Sequence, residues 1–143
     1  MTSIAIHKEQ IKEHLQEISD AIAIGIEKRP ATLALHTSAC AISLLEAYLH
    51  VLGKISTGTV IKHEWFKRPY PGQKIVPLAE RKVGVSFPEK DEILEFMYTL
   101  EEHRNKLIYG KPSRTALEAI LKAFEKLHNT IKDKMKELGE EIE

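Results

Sequence analysis

TLALHTSACAISLLEAYLHVL, residues 32–52, is the stretch whose reading decides the fold. It carries one charged residue, Glu46, and is apolar almost all round. A helix of that kind belongs at the centre of a helical protein. Its small side chains, Ala34, Ser38, Ala39, Ala41 and Ser43, let neighbouring helices approach closely. Gly53 follows as the natural C-terminal cap.

Working outward, the preceding segment places Ile11, Leu15, Ile18, Ile22 and Ile26 on one helical face, with Lys12, Glu13, Glu17 and Asp20 off it. Lys28-Arg29-Pro30 is the expected stop, because proline disfavours helix at the residue before it. On the other side, residues 54–87 lose any clean period. A short helix is expected at 61–66, and Pro69, Pro71, Gly72, Pro77 and Gly84 then punctuate an irregular insert. Regular structure resumes after Pro88, with Ile93, Phe96, Met97, Leu100, Leu107 and Ile108 as the apolar stripe and Gly110 and Pro112 as the stop. A last helix opens at Ser113 or Thr115, the latter forming a capping-box pattern with Glu118. Its stripe is Leu117, Ile120, Leu121, Phe124, Leu127, Ile131, Met135 and Leu138. The acidic stretch 137–143 is expected to be a solvated, frayed end. No strand pattern and no internal repeat is present. The reading is all-α: one domain over 1–143, an antiparallel four-helix bundle with an irregular insert between the second and third long helices.

Composition agrees with a folded soluble domain. At 143 residues a core forms without disulfides or a metal, and 43% hydrophobic with 29% charged residues excludes a disordered chain. The 21 basic and 21 acidic residues cancel, which excludes a histone-like basic binder and an acidic tail protein. A single cysteine excludes an intrachain disulfide framework and a cysteine-rich zinc module. Scarce Asn and Gln beside abundant Ile, Lys and Glu is a bias typical of proteins from hot environments. The N-terminus MTSIAIHKEQ has no signal-peptide pattern, and the expectation is a cytoplasmic protein with no membrane partner.

The candidate chemistry centres on residues 101–110, EEHRNKLIYG. At 100° per residue Arg104 falls near the middle of the apolar stripe, between Leu100 and Ile108, with His103 at its edge. An arginine cannot shed its charge. It must snorkel to solvent, pair with a carboxylate, or sit in a pocket for an anion such as phosphate.

Arg104-Asn105 near the end of the third helix, followed by the Tyr109-Gly110 stop, resembles the signature region of HEPN domains. The alanine- and leucine-rich run 39–49 and the Lys62-His63-Glu64 segment are similar to that family as well. The resemblance spans roughly residues 10 to 130 and implies a HEPN-like helical bundle working as a homodimer. Many such proteins are metal-independent ribonucleases. There an arginine stabilises charge on the scissile phosphate and a histidine a few residues later assists proton transfer at the ribose 2′-hydroxyl. Arg104 and Asn105 match the first two positions, but Tyr109 stands where the histidine is expected. A phenol near pKa 10 is about 0.1% ionised at pH 7, so it is a poor base. His103 is the nearest substitute acid/base; His63 and His50 qualify only if the fold brings them near. Catalytic candidates are therefore Arg104, Asn105, Tyr109 and His103.

Two further features bear on ligands. Tyr98, Glu102, Asn105 and Tyr109 form a second, polar and aromatic stripe on the third helix, suited to base stacking or a dimer contact. Between Val60 and Ser86, six basic residues face two acidic ones, a local +4, interleaved with His63, Trp65, Phe66 and Tyr70. Lys62, His63, Trp65, Lys67, Arg68 and Lys111 are the candidate nucleic-acid or nucleotide contacts. Trp65 and Phe66 have an alternative role as anchors of the insert. Cys40 reads as core and not as a nucleophile. No HExxH or other zinc spacing occurs, so neither a metal nor a cofactor is expected.

The functional expectation is an RNA- or nucleotide-binding protein with its cleft at a dimer interface, weakly catalytic or non-catalytic. What the resemblance adds is a partnership with a minimal nucleotidyltransferase in a toxin–antitoxin-like pair. The alternatives are a metal-independent endoribonuclease using Arg104, and a helical interaction module without nucleotide chemistry.

Overall fold

The computed structural model describes residues 4–143. Five α-helices account for most of them: α1 (Ile4–Ile24), α2 (Pro30–Val51), α3 (Leu78–Val83), α4 (Lys90–Tyr109) and α5 (Arg114–Glu137). A 3-10 turn occupies His63–Phe66, and there is no strand among the described residues.

α2 is the central element, packing against α1, α4 and α5, while α4 also packs on α5. Thirteen of its residues are buried, including Leu33, Leu44, Leu45, Tyr48 and Leu49. It is long and apolar enough to cross a bilayer, but 67% of its most apolar window is buried inside the protein. Its end is a Schellman arrangement. Gly53 at φ +71° donates to His50 O, and Lys54 N–H reaches back to Leu49 O at 2.9 Å.

Several expected boundaries shift for local reasons. α1 ends at Ile24 and not at the proline, because Gly25 takes φ +128° and turns the chain. Pro30 then opens α2 at its first turn, where a missing N–H costs nothing. Of the α1 stripe, Ile11 and Ile18 are buried whereas Ile22 is exposed. α4 starts at Lys90, two residues past Pro88, with Glu89 held at φ +63° in the left-handed region. Gly110 ends α4 for want of room: a Cβ there would lie 2.9 Å from Lys106 O. The cap of α5 is Ser113, whose hydroxyl accepts from Ala116 N–H at 3.1 Å, so Thr115 lies inside the helix and caps nothing.

Two corrections concern irregular segments. α3 falls in the punctuated stretch, between Pro77 and the left-handed Gly84; its six residues are too few to show a period, and only Ala79 and Val83 are buried. The acidic C-terminus is not frayed. Ile142 is buried, Lys8 Nζ meets Glu140 at 2.8 Å, and His128 Nε2 lies 2.6 Å from Glu143 O. The apolar side chain of Ile142 gives the segment something to bury.

Candidate functional site

The site is built where the insert crosses α2 and α4. Glu46, buried in the middle of α2, accepts the Ile61 N–H at 2.9 Å. This fixes the chain just before the 3-10 turn. At the far end of the turn Phe66 is 1% exposed and meets Tyr98 of α4 edge-on, with centroids 6.2 Å apart. Trp65 packs against the core beside it. With both ends pinned, His63 is held against α4, where Nδ1 lies 2.9 Å from both carboxylate oxygens of Glu101. Glu101 is itself only 5% exposed. A carboxylate takes only hydrogen-bond donors, so Nδ1 carries a proton in this contact. His63 Nε2 is the remaining nitrogen, 3.3 Å from Glu64.

His63 shares a cleft of about 550 Å³ with Arg104, Lys62, His14, Ser38 and Ser43. Arg104 makes one hydrogen bond, Nη1 to Asn105 Oδ1 at 3.2 Å, and its Nε is buried with no partner. Among the described residues no carboxylate lies within ion-pair distance of it. Of the three options open to this arginine, pairing with a carboxylate is the one the structure removes. The fixed charges are balanced, with Arg104 and Lys62 against Glu13 and Glu64. Any anion preference therefore rests on local donors and not on a broad positive field.

At the rim, His14 of α1 faces His36 of α2, Nδ1 to Nδ1 at 3.0 Å. Ring centroids 5.2 Å apart leave the two nitrogen axes nearly end to end, the geometry of an N–H···N bond. Burial, and then the neighbouring His36, lower the pKa of His14. Its ring is thus held uncharged at neutral pH.

A second groove of about 470 Å³ lies on the other side of α4's polar edge, lined by Lys67, Arg68, Tyr70, Glu102 and Asn105 among others. Glu101 borders it while bonding His63 of the first cleft, and Asn105 borders it while bonding Arg104. The two hollows thus abut at these pairs. Arg68 is committed to structure: it forms a two-pronged bond to Glu95 at 2.6 and 3.2 Å, approaches Glu102 at 3.5 Å, and lies over the Tyr98 ring.

Of the sequence candidates, Arg104, Lys62 and His63 share the first cleft, and Asn105, Lys67 and Arg68 line the second groove. Tyr109 is 80% exposed and lines neither, so within one chain it does not stand in for the missing histidine. His103 is half-buried with an unpartnered Nδ1, its pKa lowered chiefly by burial, and it too lies outside both. Lys111 is exposed beyond α4, away from both. The local +4 of the insert is offset in part by α4, since Arg68 pairs with Glu95 and Glu102. Segment counting could not see that.

Glu101, His14 and His36 are the residues that sequence reasoning missed. Glu101 was findable: it lies four residues after Met97 and three before Arg104, on the same apolar stripe, and a carboxylate there requires a partner. The histidine pair left no local signal. Among the described residues no group of three His, Cys, Asp or Glu side chains is placed to hold a metal ion. Comparisons with protein-family models, curated proteins and solved structures gave no match to this chain.

Proposed function

We propose that this is a cytoplasmic RNA- or nucleotide-binding protein built on a HEPN-like antiparallel four-helix bundle, and that its phosphate-binding cleft is the one lined by Arg104, Lys62 and His63. One observation carries the reading. Arg104 projects from the apolar stripe of α4 into that cleft with a buried, unpartnered Nε and, among the described residues, no carboxylate within ion-pair distance. An unsatisfied buried donor costs about 1–3 kcal/mol, more for a charged group, and a phosphate oxygen would relieve it. In this reading the protein is a homodimer partnered by a minimal nucleotidyltransferase in a toxin–antitoxin-like pair. Titration of a labelled short RNA at low salt tests it. Replacing Arg104 by alanine is expected to weaken binding about tenfold or more, the worth of a lost charge-assisted hydrogen bond. Binding that ignores Arg104→Ala refutes the cleft. Light scattering tests the dimer.

A second reading, metal-independent RNA cleavage, is favoured by His63, which shares the cleft with Arg104 and is bonded to Glu101 behind it. Glu101 orients the ring, His63 Nε2 gives up its contact with Glu64 and accepts the 2′-hydroxyl proton, and the 2′-oxygen attacks phosphorus. The 5′-oxygen then leaves and takes up a proton, while Arg104 stabilises the phosphorane charge. Cleavage in EDTA that is abolished in both Arg104→Ala and His63→Ala, and is reduced in Glu101→Gln, supports catalysis. Intact RNA with the wild-type protein leaves a binding role alone.

A further inference from the structure

The second groove has no task in that reading, yet it abuts the cleft through two side-chain contacts, Arg104–Asn105 and His63–Glu101. Its lining differs in kind. The cationic members are Lys67 and Arg68; Arg68 is tied to Glu95 and Glu102, and Lys67 Nζ sits 5.6 Å from the Tyr70 ring centroid. Glu101 and Glu102 add two carboxylates, so the groove is formally neutral and does not suit a second phosphate.

What it offers instead is an aromatic surface and a carboxamide. Tyr70 is 67% exposed, against 1% for Phe66, so of these two insert aromatics only Tyr70 offers an exposed ring, with Lys67 Nζ over one face and the other left for a ligand. The backbone that carries the ring is fixed: the Tyr70 N–H donates to Gln73 Oε1 at 3.0 Å, and Gln73 N–H returns to Tyr70 O at 3.1 Å, which closes a tight turn at the tip. Pro69 and Pro71 flank it and stiffen the backbone on either side. Asn105 places a donor and an acceptor at the boundary with Arg104.

We infer that this groove is a nucleobase subsite, in which an unpaired base stacks on Tyr70 with its polar edge toward Asn105 while the adjoining phosphate lies on Arg104. The assignment rests on the proposed phosphate cleft and narrows its ligand to single-stranded RNA or a free nucleotide. A base paired within a duplex has neither face available to Tyr70. Trp65 and Phe66 are excluded as stacking partners because both pack against the protein's own core.

The test compares anisotropy titrations of a short oligouridylate and an abasic ribose-phosphate oligomer of equal length, with wild type, Tyr70→Ala, Tyr70→Phe and Arg104→Ala. Stacking on one aromatic side chain is worth about 5- to 150-fold in affinity. Tyr70→Ala should lose that factor for oligouridylate and leave the abasic oligomer unchanged; Tyr70→Phe should bind both as wild type does. Arg104→Ala should weaken both. Wild-type protein that binds the two oligomers equally, or a Tyr70→Ala protein that weakens both or neither, overturns the base subsite and leaves the phosphate cleft standing. Binding of neither oligomer by wild type overturns both. Tyr70 is exposed, so the variant folds, which its thermal melt checks independently.

Discussion

Replacing His7 by leucine should make the protein more stable. His7 lies on α1, 1% exposed, and neither ring nitrogen has a hydrogen-bond partner. The nearest polar ring is His50 of α2, 5.7 Å away between centroids and tilted by 50°, and its Nε2 is buried and unpartnered too. A neutral imidazole carries one donor and one acceptor, and each buried without a partner costs about 1–3 kcal/mol. Leucine fills much of the same space and leaves neither. Part of the gain is lost to imperfect packing, so we expect His7→Leu to add about 1–2 kcal/mol, a rise in Tm of about 3–8 °C for a chain of this size. The pH dependence gives a second handle. Burial, and then His50, hold the His7 pKa below its usual value. The unfolded chain therefore binds the proton more readily than the folded one. The contribution is fully present above the unfolded value near 6.5 and is lost as pH falls through the lowered, folded value. His14, His103 and His128 are lowered in the same direction, burial being the first cause of each, so wild type should weaken in mild acid. Urea unfolding of both proteins from about pH 8 to about pH 5 measures both effects, and His7→Leu should show the shallower acid limb. A variant less stable than wild type near neutral pH, or one with an unchanged acid limb, would falsify the reasoning.

Three further outcomes are expected. Glu46→Ala strands the buried Ile61 N–H and should cost about 1–3 kcal/mol in urea unfolding, with Glu46→Gln, which keeps a carbonyl acceptor, losing much less; equal losses would mean that the pin at Ile61 contributes nothing. The Cys40 thiol is pushed up to about 12 by burial, so labelling by a thiol reagent should follow the rate of unfolding and rise steeply with urea; rapid labelling of native protein would contradict its burial. Ser113→Ala should cost about 1 kcal/mol and Thr115→Ala only a few tenths, since Ser113 alone bonds the first turn of α5; the reverse order in urea midpoints would put the cap at Thr115.

How much was legible in the sequence follows from the range of each interaction. The long helices were readable because their signals are local: an apolar stripe repeats every three or four residues, and Gly53 and Gly110 end α2 and α4 through their own backbones. α2 announced itself as central because Glu46 is its one charge, and even that carboxylate is buried on a backbone N–H of the insert. α3 was illegible because six residues hold less than two turns of pattern.

The sequence alone determined the helical class, the core faces and the anomaly of Arg104 on an apolar stripe. It could not decide which histidine shares the cleft with Arg104, because His63 reaches it across 38 residues through a hydrogen bond to Glu101, whereas the adjacent His103 lies outside. The pairing of Arg68 with Glu95 and Glu102, and the meeting of His14 with His36, are likewise contacts between separate elements. Only the tertiary structure decided these. Periodicity reports which way a side chain points from its own helix, whereas a site depends on what another helix brings to meet it.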